Sequence, residues 1–251
     1  MMSKPVIWVR ALIFNFLFLA ITVFMTVLGI PTLFLGRRAS LLTTRVWSWL
    51  VIKALRIAVG TRVEVRGWEN LPPGGVVIAA KHQSAFDTVV WLGLLARPAY
   101  VMKKELLRVP LYGEYARIAG MIPVDRAGGG AALKAMLRDA TAAVAEGRQV
   151  VIFPEGTRTG VGERVPYQPG VVAIAAATGA PVVPVATDSG RFWGRRAFMK
   201  YPGVIRISVM PPLPPGLSRA KLIAALEETI ETETDRLMAE PMDGSVDKSV
   251  D

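Results

Sequence analysis

Cysteine is absent from this chain of 251 residues, and histidine occurs once, as His82. The absence of cysteine excludes disulfides, zinc–thiolate sites and thiol nucleophiles, and it is consistent with a reducing compartment. The chain also lacks a G-x-S-x-G pentapeptide, the serine elbow of the usual esterases. Several common designs of hydrolytic and metal-binding sites are therefore excluded or disfavoured from the start.

Acidic residues are fewer than basic ones: 20 Asp and Glu stand against 30 Lys and Arg, giving a net charge of +10. Such an excess of positive charge favours an anionic partner, whether nucleic acid, anionic lipid or a phosphate-bearing substrate. The composition is 52% hydrophobic, however, and the mean hydropathy is +0.39. The basic residues are dispersed and no nucleic-acid-binding signature occurs, so we expect a membrane and no nucleic acid.

Charged residues are missing from the whole run between positions 11 and 35, which is flanked by arginines on both sides. A run of this length is typical of a membrane-embedded segment. Residues 43–59 follow as a predicted amphipathic helix with interfacial tryptophans. Two arrangements of this anchor, residues 1–60, remain open. One is a single span with its positive-rich C-terminal side in the cytoplasm, and the other is two helices, broken near residues 29–36, that dip into one leaflet.

Beyond residue 60, short apolar runs alternate with longer helical stretches. Strands are predicted at 63–67, 75–80, 99–103, 121–124, 149–153, 181–186 and 204–210, and helices at 86–96, 131–147 and 217–238. Residues 171–179 are predicted to be an apolar helix or a buried segment. This alternation predicts an α/β fold over residues 61–240, with a mostly parallel or mixed sheet flanked by helices. Residues 241–251 are polar, and we expect them to be disordered.

His82 lies in a predicted turn between a strand and a helix, at the strand end where α/β sheets bind ligands. A turn between His82 and Asp87 can bring the carboxylate onto the imidazole, which fixes the tautomer and leaves the other ring nitrogen as a base. A structural interpretation competes with this one. Ser84-x-x-Asp87 matches a capping box, in which Asp87 only satisfies a backbone N–H group.

A second strand, residues 149–153, leads into the turn Pro-Glu-Gly-Thr-Arg. Gly156 allows close approach of the backbone to a ligand, Thr157 offers a hydroxyl, and Arg158 offers a planar fork suited to phosphate. Alone, such a turn is typical of a solvated surface. Together with the turn at His82, it indicates a substrate site.

These two turns resemble the first and third sequence blocks of the lysophospholipid acyltransferase family, and the resemblance covers nearly the whole chain. The matching blocks are 82–87, 120–126, 153–159 and 180–189, with a lysine-bearing stretch at 103–106. The apolar N-terminus is similar to the membrane-docking helices of bacterial members. Lys81 stands where many members have asparagine, and we expect little consequence because the family pattern gives that position no chemical role.

The resemblance implies acyl transfer from a thioester of coenzyme A or acyl carrier protein to the sn-2 hydroxyl of 1-acylglycerol 3-phosphate, giving phosphatidic acid. It implies that His82 is the base, that Asp87 orients it, and that no metal or cofactor is needed beyond the acyl thioester. It also implies a catalytic domain on the cytoplasmic side of the inner membrane. Substrate contacts are implied for Glu155, Gly156, Thr157, Arg158, Arg126 and Lys104.

Other functions remain open at this point. The acceptor could be glycerol 3-phosphate, another lysophospholipid or a lyso-ornithine lipid, or water, which would make the protein a thioester hydrolase. A membrane-bound module that only binds lipid or carrier protein is a further alternative. Residues 191–200 mix arginines with aromatics and fit docking to anionic lipid or to an acidic carrier protein as well as they fit a basic loop.

Overall fold

A computed structural model describes residues 3–244, and within this range the chain forms eight α-helices and seven β-strands. The helices are α1 (Lys4–Leu28), α2 (Ile30–Phe34), α3 (Arg37–Ala58), α4 (Phe86–Leu94), α5 (Tyr112–Ile118), α6 (Gly129–Ala145), α7 (Gly170–Thr178) and α8 (Arg219–Ala239). The strands are β1 (Thr61–Arg66), β2 (Val76–Ala80), β3 (Pro98–Lys103), β4 (Ile122–Val124), β5 (Gln149–Ile152), β6 (Val182–Thr187) and β7 (Gly203–Val209).

The seven strands form one sheet in the order β1-β7-β6-β2-β5-β3-β4. Neighbouring strands are parallel except for β6 and β7, which pair antiparallel. Strand β2 lies at the centre and all five of its residues are buried, which explains its continuous apolar sequence. The predicted α/β class with a mixed sheet is confirmed, and each predicted strand is found within two residues of its expected bounds.

Helices cover both faces of this sheet. One face packs against α1, α3 and α4, with Phe14, Val51 and Trp91 in the core. The other face packs against α6, α7 and α8, with Ile174 and Leu226 fully buried. The change of sequence pattern at residue 60 is therefore no packing boundary, because α3 contributes to the same core as the central strands.

The N-terminal helices form an antiparallel pair joined by the short helix α2. The Trp47 indole donates a hydrogen bond to the Thr22 hydroxyl at 3.1 Å, and the Arg10 guanidinium donates to the Val59 carbonyl at 3.1 Å. Helix α1 ends before Gly29, where an added Cβ would collide with the Tyr115 hydroxyl. The backbone thus has the two-helix form that the sequence left open. Helix α1 is also long and apolar enough to cross a membrane, and most of its surface is exposed.

The predicted tail falls mainly on residues 245–251, which lie outside the described residues. Its first part, residues 241–244, runs beside β7: the N–H of Val204 donates to the Met242 carbonyl at 2.8 Å, and the Arg206 guanidinium donates to the Pro241 carbonyl at 2.6 Å.

Candidate active site

His82 lies in the turn between β2 and α4, with 8% of its surface exposed. Its Nδ1 atom is 3.1 Å from Oδ2 of Asp87. Its ring stacks on Phe153, with centroids 3.9 Å apart and planes inclined by 16°. These two contacts fix the imidazole, and with Nδ1 bound to the carboxylate, Nε2 is left as the nitrogen available to a ligand.

Asp87, in the first turn of α4, both orients His82 and caps the helix. Its Oδ2 accepts the N–H groups of Gln83 at 2.7 Å and Ser84 at 2.8 Å. Its Oδ1 accepts the Ser189 hydroxyl at 2.6 Å. The two interpretations of the sequence are therefore compatible, because one carboxylate serves both. Helix α4 begins at Phe86, and the Ser84 hydroxyl accepts its N–H at 3.0 Å.

The turn that follows β5 interlocks with the turn at His82. The N–H of Thr159 donates to the His82 carbonyl at 2.8 Å. Gly156 has a φ of +68°, in the left-handed region that favours glycine, and its neighbours Thr157 and Arg158 line the same cavity as His82. The structure thus brings together these three residues and His82 from turns about 75 positions apart.

Glu155 belongs to the same turn, but its carboxylate is buried rather than open to solvent. Oε2 accepts the backbone N–H of His82 at 3.1 Å, and Oε1 is 3.1 Å from the Lys81 ammonium. Burial raises the pKa of Glu155 to about 7, against the opposing charge of Lys81. These contacts place the carboxylate on the interior side of the turn at His82, where it holds the backbone.

Lys81 is only 1% exposed and forms a second ion pair, 2.6 Å long, with Glu231 of α8. The expectation that a lysine at this position has little consequence did not include these contacts, in which its ammonium lies between two buried carboxylates. No local sequence signal indicates this pairing, since Glu231 lies 150 positions away.

Arg126 and Lys104 occupy different positions relative to the cavity. Arg126 lines the cavity and donates to the Gly156 carbonyl. The Lys104 side chain is 62% exposed and points to Asp125, 3.4 Å away, while its neighbour Lys103 contributes to the cavity wall. The structure therefore brings Arg126 to the predicted site and leaves Lys104 at its periphery.

The cavity beside His82 has a volume of about 1340 Å³. This exceeds the range of about 300–1,000 Å³ that is typical of small-molecule sites. Most of its lining is apolar, and part of the wall is built by residues of the N-terminal helices, including Met25 and Trp47. Arg195 and Arg196 also line it, although the segment 191–200 was expected only as a docking surface or a basic loop.

Ser189 is a residue of the site that sequence reasoning missed, and its hydroxyl donates to Asp87. It follows β6 in the fourth sequence block, so its place after a strand was the available signal. Its contact with Asp87 spans 102 positions and depends on the sheet order.

A His–Asp pair at the end of a strand, in a chain without a G-x-S-x-G pentapeptide, differs from the site of the usual serine esterases. A family model described as Acyltransferase matches residues 62–188, and the chain belongs to this family. A 1-acyl-sn-glycerol-3-phosphate acyltransferase from Pseudomonas aeruginosa is 35% identical over 194 residues, covering 77% of this chain and 76% of the relative.

Two further comparisons agree. The human 1-acyl-sn-glycerol-3-phosphate acyltransferase alpha is 32% identical over 168 residues, which are 66% of this chain and 59% of the human protein. The crystal structure of the 1-acyl-sn-glycerophosphate (LPA) acyltransferase from Thermotoga maritima superposes with a TM-score of 0.75 at 26% identity. That match covers 92% of this chain and 96% of the other.

Proposed function

We propose that this protein transfers a fatty acyl group from an acyl thioester to the sn-2 hydroxyl of 1-acylglycerol 3-phosphate, giving phosphatidic acid. The observation that carries the proposal is the His82–Asp87 pair on the wall of a lipid-sized cavity that also presents Arg126 and Arg158. The relatives from Pseudomonas aeruginosa and human are both named for acyl transfer to this acceptor.

In the proposed reaction, Nε2 of His82 takes the proton of the sn-2 hydroxyl while the hydroxyl oxygen forms a bond to the thioester carbonyl carbon. The carbon–sulfur bond then breaks, and His82 returns the proton to the thiolate. Asp87 keeps the proton on Nδ1 and stabilises the imidazolium that forms between the two steps. A general base of this kind is worth about 10²–10⁴-fold in rate. The steps use no metal and no cofactor beyond the acyl thioester.

Binding of the acceptor phosphate is assigned to the turn after β5. Arg158 supplies a bidentate donor and Thr157 a hydroxyl, and Gly156, which has no side chain, lets the phosphate approach the turn closely. Arg126 supports this turn through the Gly156 carbonyl. Lys104 is kept as a peripheral contact, since its partner Asp125 would have to release it. The donor is a thioester of coenzyme A or of acyl carrier protein, both anionic, which suits the net charge of +10.

The N-terminal helices are proposed to dock on the inner membrane, with the catalytic domain on its cytoplasmic side. The outer face of α1 exposes large apolar side chains such as Phe16, 70% exposed, and Leu19, 62% exposed. Basic side chains near the surface add attraction to anionic lipids. Because residues of α1 and α3 form part of the cavity wall, the lipid acceptor is proposed to reach the site from the side of the anchor.

The test measures thiol release from acyl-coenzyme A and from acyl carrier protein, in detergent micelles, with and without 1-acylglycerol 3-phosphate. The product is identified by mass. Wild type is compared with His82→Ala and with Arg138→Ala, a control on the exposed side of α6. We expect acceptor-dependent release that yields phosphatidic acid in wild type and in the control, and a loss of at least about 10²-fold in His82→Ala.

Other outcomes would each contradict a stated part of the proposal. Transfer only to a different acceptor would keep the chemistry and overturn the substrate. Release without any acceptor would identify a thioester hydrolase. Undiminished transfer by His82→Ala would show that this turn is not the catalytic one.

A further inference from the structure

A buried cluster of charged side chains lies next to His82, on its interior side. The Lys81 ammonium is 3.1 Å from Oε1 of Glu155 and 2.6 Å from Oε1 of Glu231. The Tyr167 hydroxyl donates to the same oxygen of Glu231 at 2.9 Å. The cluster therefore connects the end of β2, the turn after β5 and helix α8 through the interior of the protein.

Both backbone groups of His82 bind to the turn that this cluster holds. The N–H of His82 donates to Oε2 of Glu155 at 3.1 Å, and its carbonyl accepts the N–H of Thr159 at 2.8 Å. The Thr159 hydroxyl is in turn 3.4 Å from Oε1 of Glu155. The position of this turn thus sets where the imidazole lies in the cavity wall.

We propose that Lys81 is a positioning residue for the acyl transfer: its ammonium holds the buried Glu155 carboxylate against the His82 backbone and so keeps the imidazole aligned on Asp87. The role in catalysis rests on the proposed function, whereas the alignment itself does not. A buried carboxylate without a compensating charge is costly. Burial raises the pKa of Glu155 to about 7, and Lys81 is the largest influence that lowers it.

Without the ammonium, Glu155 takes up a proton at neutral pH, and its hydrogen bond to the His82 N–H weakens. Among the described residues, the titratable groups that face this carboxylate are Lys81, Tyr167 and Glu231, together with His82, which Asp87 faces from α4. Lys81→Met alone leaves two buried carboxylates without a cation. The double variant Lys81→Met/Glu155→Gln removes one charge of each sign and keeps an acceptor oxygen for His82.

Because His82 is the only histidine of the chain, its imidazole can be observed directly and without substrate. The protein is labelled with ¹⁵N-histidine, purified without a polyhistidine tag and studied by NMR in detergent. We expect one sharp set of imidazole resonances in wild type, broadened or multiple sets in Lys81→Met, and a single set again in the double variant.

The pH profile of kcat gives the second measurement. We expect its acidic limb to move up by about one unit in Lys81→Met, which is about a tenfold loss on that limb, and to return in the double variant. The KM for the acceptor should stay unchanged in both. Lys200→Met is the matched control: Lys200 is 2% exposed and bonds to Asn15 and to loop carbonyls, so its loss should lower stability and leave the imidazole resonances and the acidic limb unmoved.

The proposal is overturned if Lys81→Met lowers only the melting temperature, with the spectrum and the acidic limb of wild type. If that variant does not fold, the double variant is compared with Glu155→Gln alone. In Glu155→Gln the carboxylate that links Lys81 to the His82 backbone is already absent, so the further loss of Lys81 should not change the imidazole. Different imidazole spectra for these two would also overturn the proposal. Altered spectra in a protein that transfers nothing to 1-acylglycerol 3-phosphate would instead refute the proposed acceptor and support the positioning role.

Discussion

Asp87 performs two tasks with one carboxylate, and two substitutions separate them. Asparagine has the shape of aspartate, so Asp87→Asn keeps an oxygen for the N–H groups of Gln83 and Ser84, which lie 2.7 and 2.8 Å from Oδ2. The amide nitrogen then faces the Ser189 hydroxyl, which can rotate to accept it. This variant therefore keeps the helix cap and removes the negative charge beside the imidazole. Asp87→Ala removes both.

The loss expected for Asp87→Asn follows from the contact with His82, whose Nδ1 is 3.1 Å from the carboxylate. A hydrogen bond to a charged group contributes about 1.5–3 kcal/mol, and a charge pair at about 4 Å with an effective dielectric constant of 20 contributes about 4 kcal/mol. Each 1.4 kcal/mol is tenfold in rate, so we expect kcat to fall by about 10–10³-fold. The melting temperature should change little.

Asp87→Ala should fall as far in kcat and also lose stability. A lost cap costs about 1 kcal/mol, and each buried donor left without a partner costs about 1–3 kcal/mol. The assay is acceptor-dependent thiol release over a range of pH, beside thermal unfolding of the same preparations. Wild-type kcat in Asp87→Asn would show that the carboxylate is a cap and nothing more. Equal melting temperatures for the two variants would refute the capping role.

Three further predictions address binding, pH and the membrane. Arg158→Gln should raise the KM for 1-acylglycerol 3-phosphate by about 10–100-fold, with little change in kcat, because it removes charge-assisted hydrogen bonds to the phosphate. A change in kcat alone would contradict the assignment of Arg158 to phosphate binding. For Glu155, the pKa in the folded state, about 7, lies above the ordinary value of 4.5, so the folded protein binds more protons between these values and the stabilisation is lost as pH rises through them. Glu155→Gln should therefore remove up to about 3 kcal/mol of the decline in stability from pH 5 to 8, measured by denaturant unfolding; an unchanged decline would refute the raised pKa. Leu19→Lys, on the exposed face of α1, should weaken binding to anionic vesicles by about 10²-fold and leave activity in detergent intact. The reason is that a lysine side chain in the apolar part of a bilayer costs about 2.5–3.5 kcal/mol. Equal vesicle binding by the variant and wild type would place that face outside the membrane.

Local sequence signals sufficed for the strands and for the His82–Asp87 contact. Strand β2 could be predicted because a strand that is buried on both faces has a continuous apolar sequence. The contact of His82 with Asp87 could be predicted because the two residues are joined by one turn, and a turn has few conformations. For Gly156 the sequence predicted close approach of the backbone to a ligand, whereas its left-handed backbone, with a φ of +68°, is seen only in the structure.

Contacts set by the sheet order could not be predicted in this way. Ser189 reaches Asp87 because β6 is the neighbour of β2, and strand order depends on how the whole chain packs. Lys81 is a polar residue after an apolar strand, which the sequence alone assigns equally well to solvent. Its burial depends on the ion pair with Glu231 of α8. That partner can be identified only when the packing of α8 against the sheet is known.

The same dependence on packing joins the anchor to the site. Phe14 of α1 is fully buried, with its ring centroid 5.0 Å from that of Trp193 in the catalytic domain, while Phe16 on the same helix is 70% exposed. One face of α1 therefore belongs to the protein core and the other is free for lipid. Helices α1 and α3 also supply Met25 and Trp47 to the cavity wall. The same two helices therefore form the proposed membrane attachment and part of the apolar wall of the cavity. A lysophospholipid that entered beside these helices would keep its acyl chain against apolar side chains such as Met25 and Trp47 while its hydroxyl approached His82.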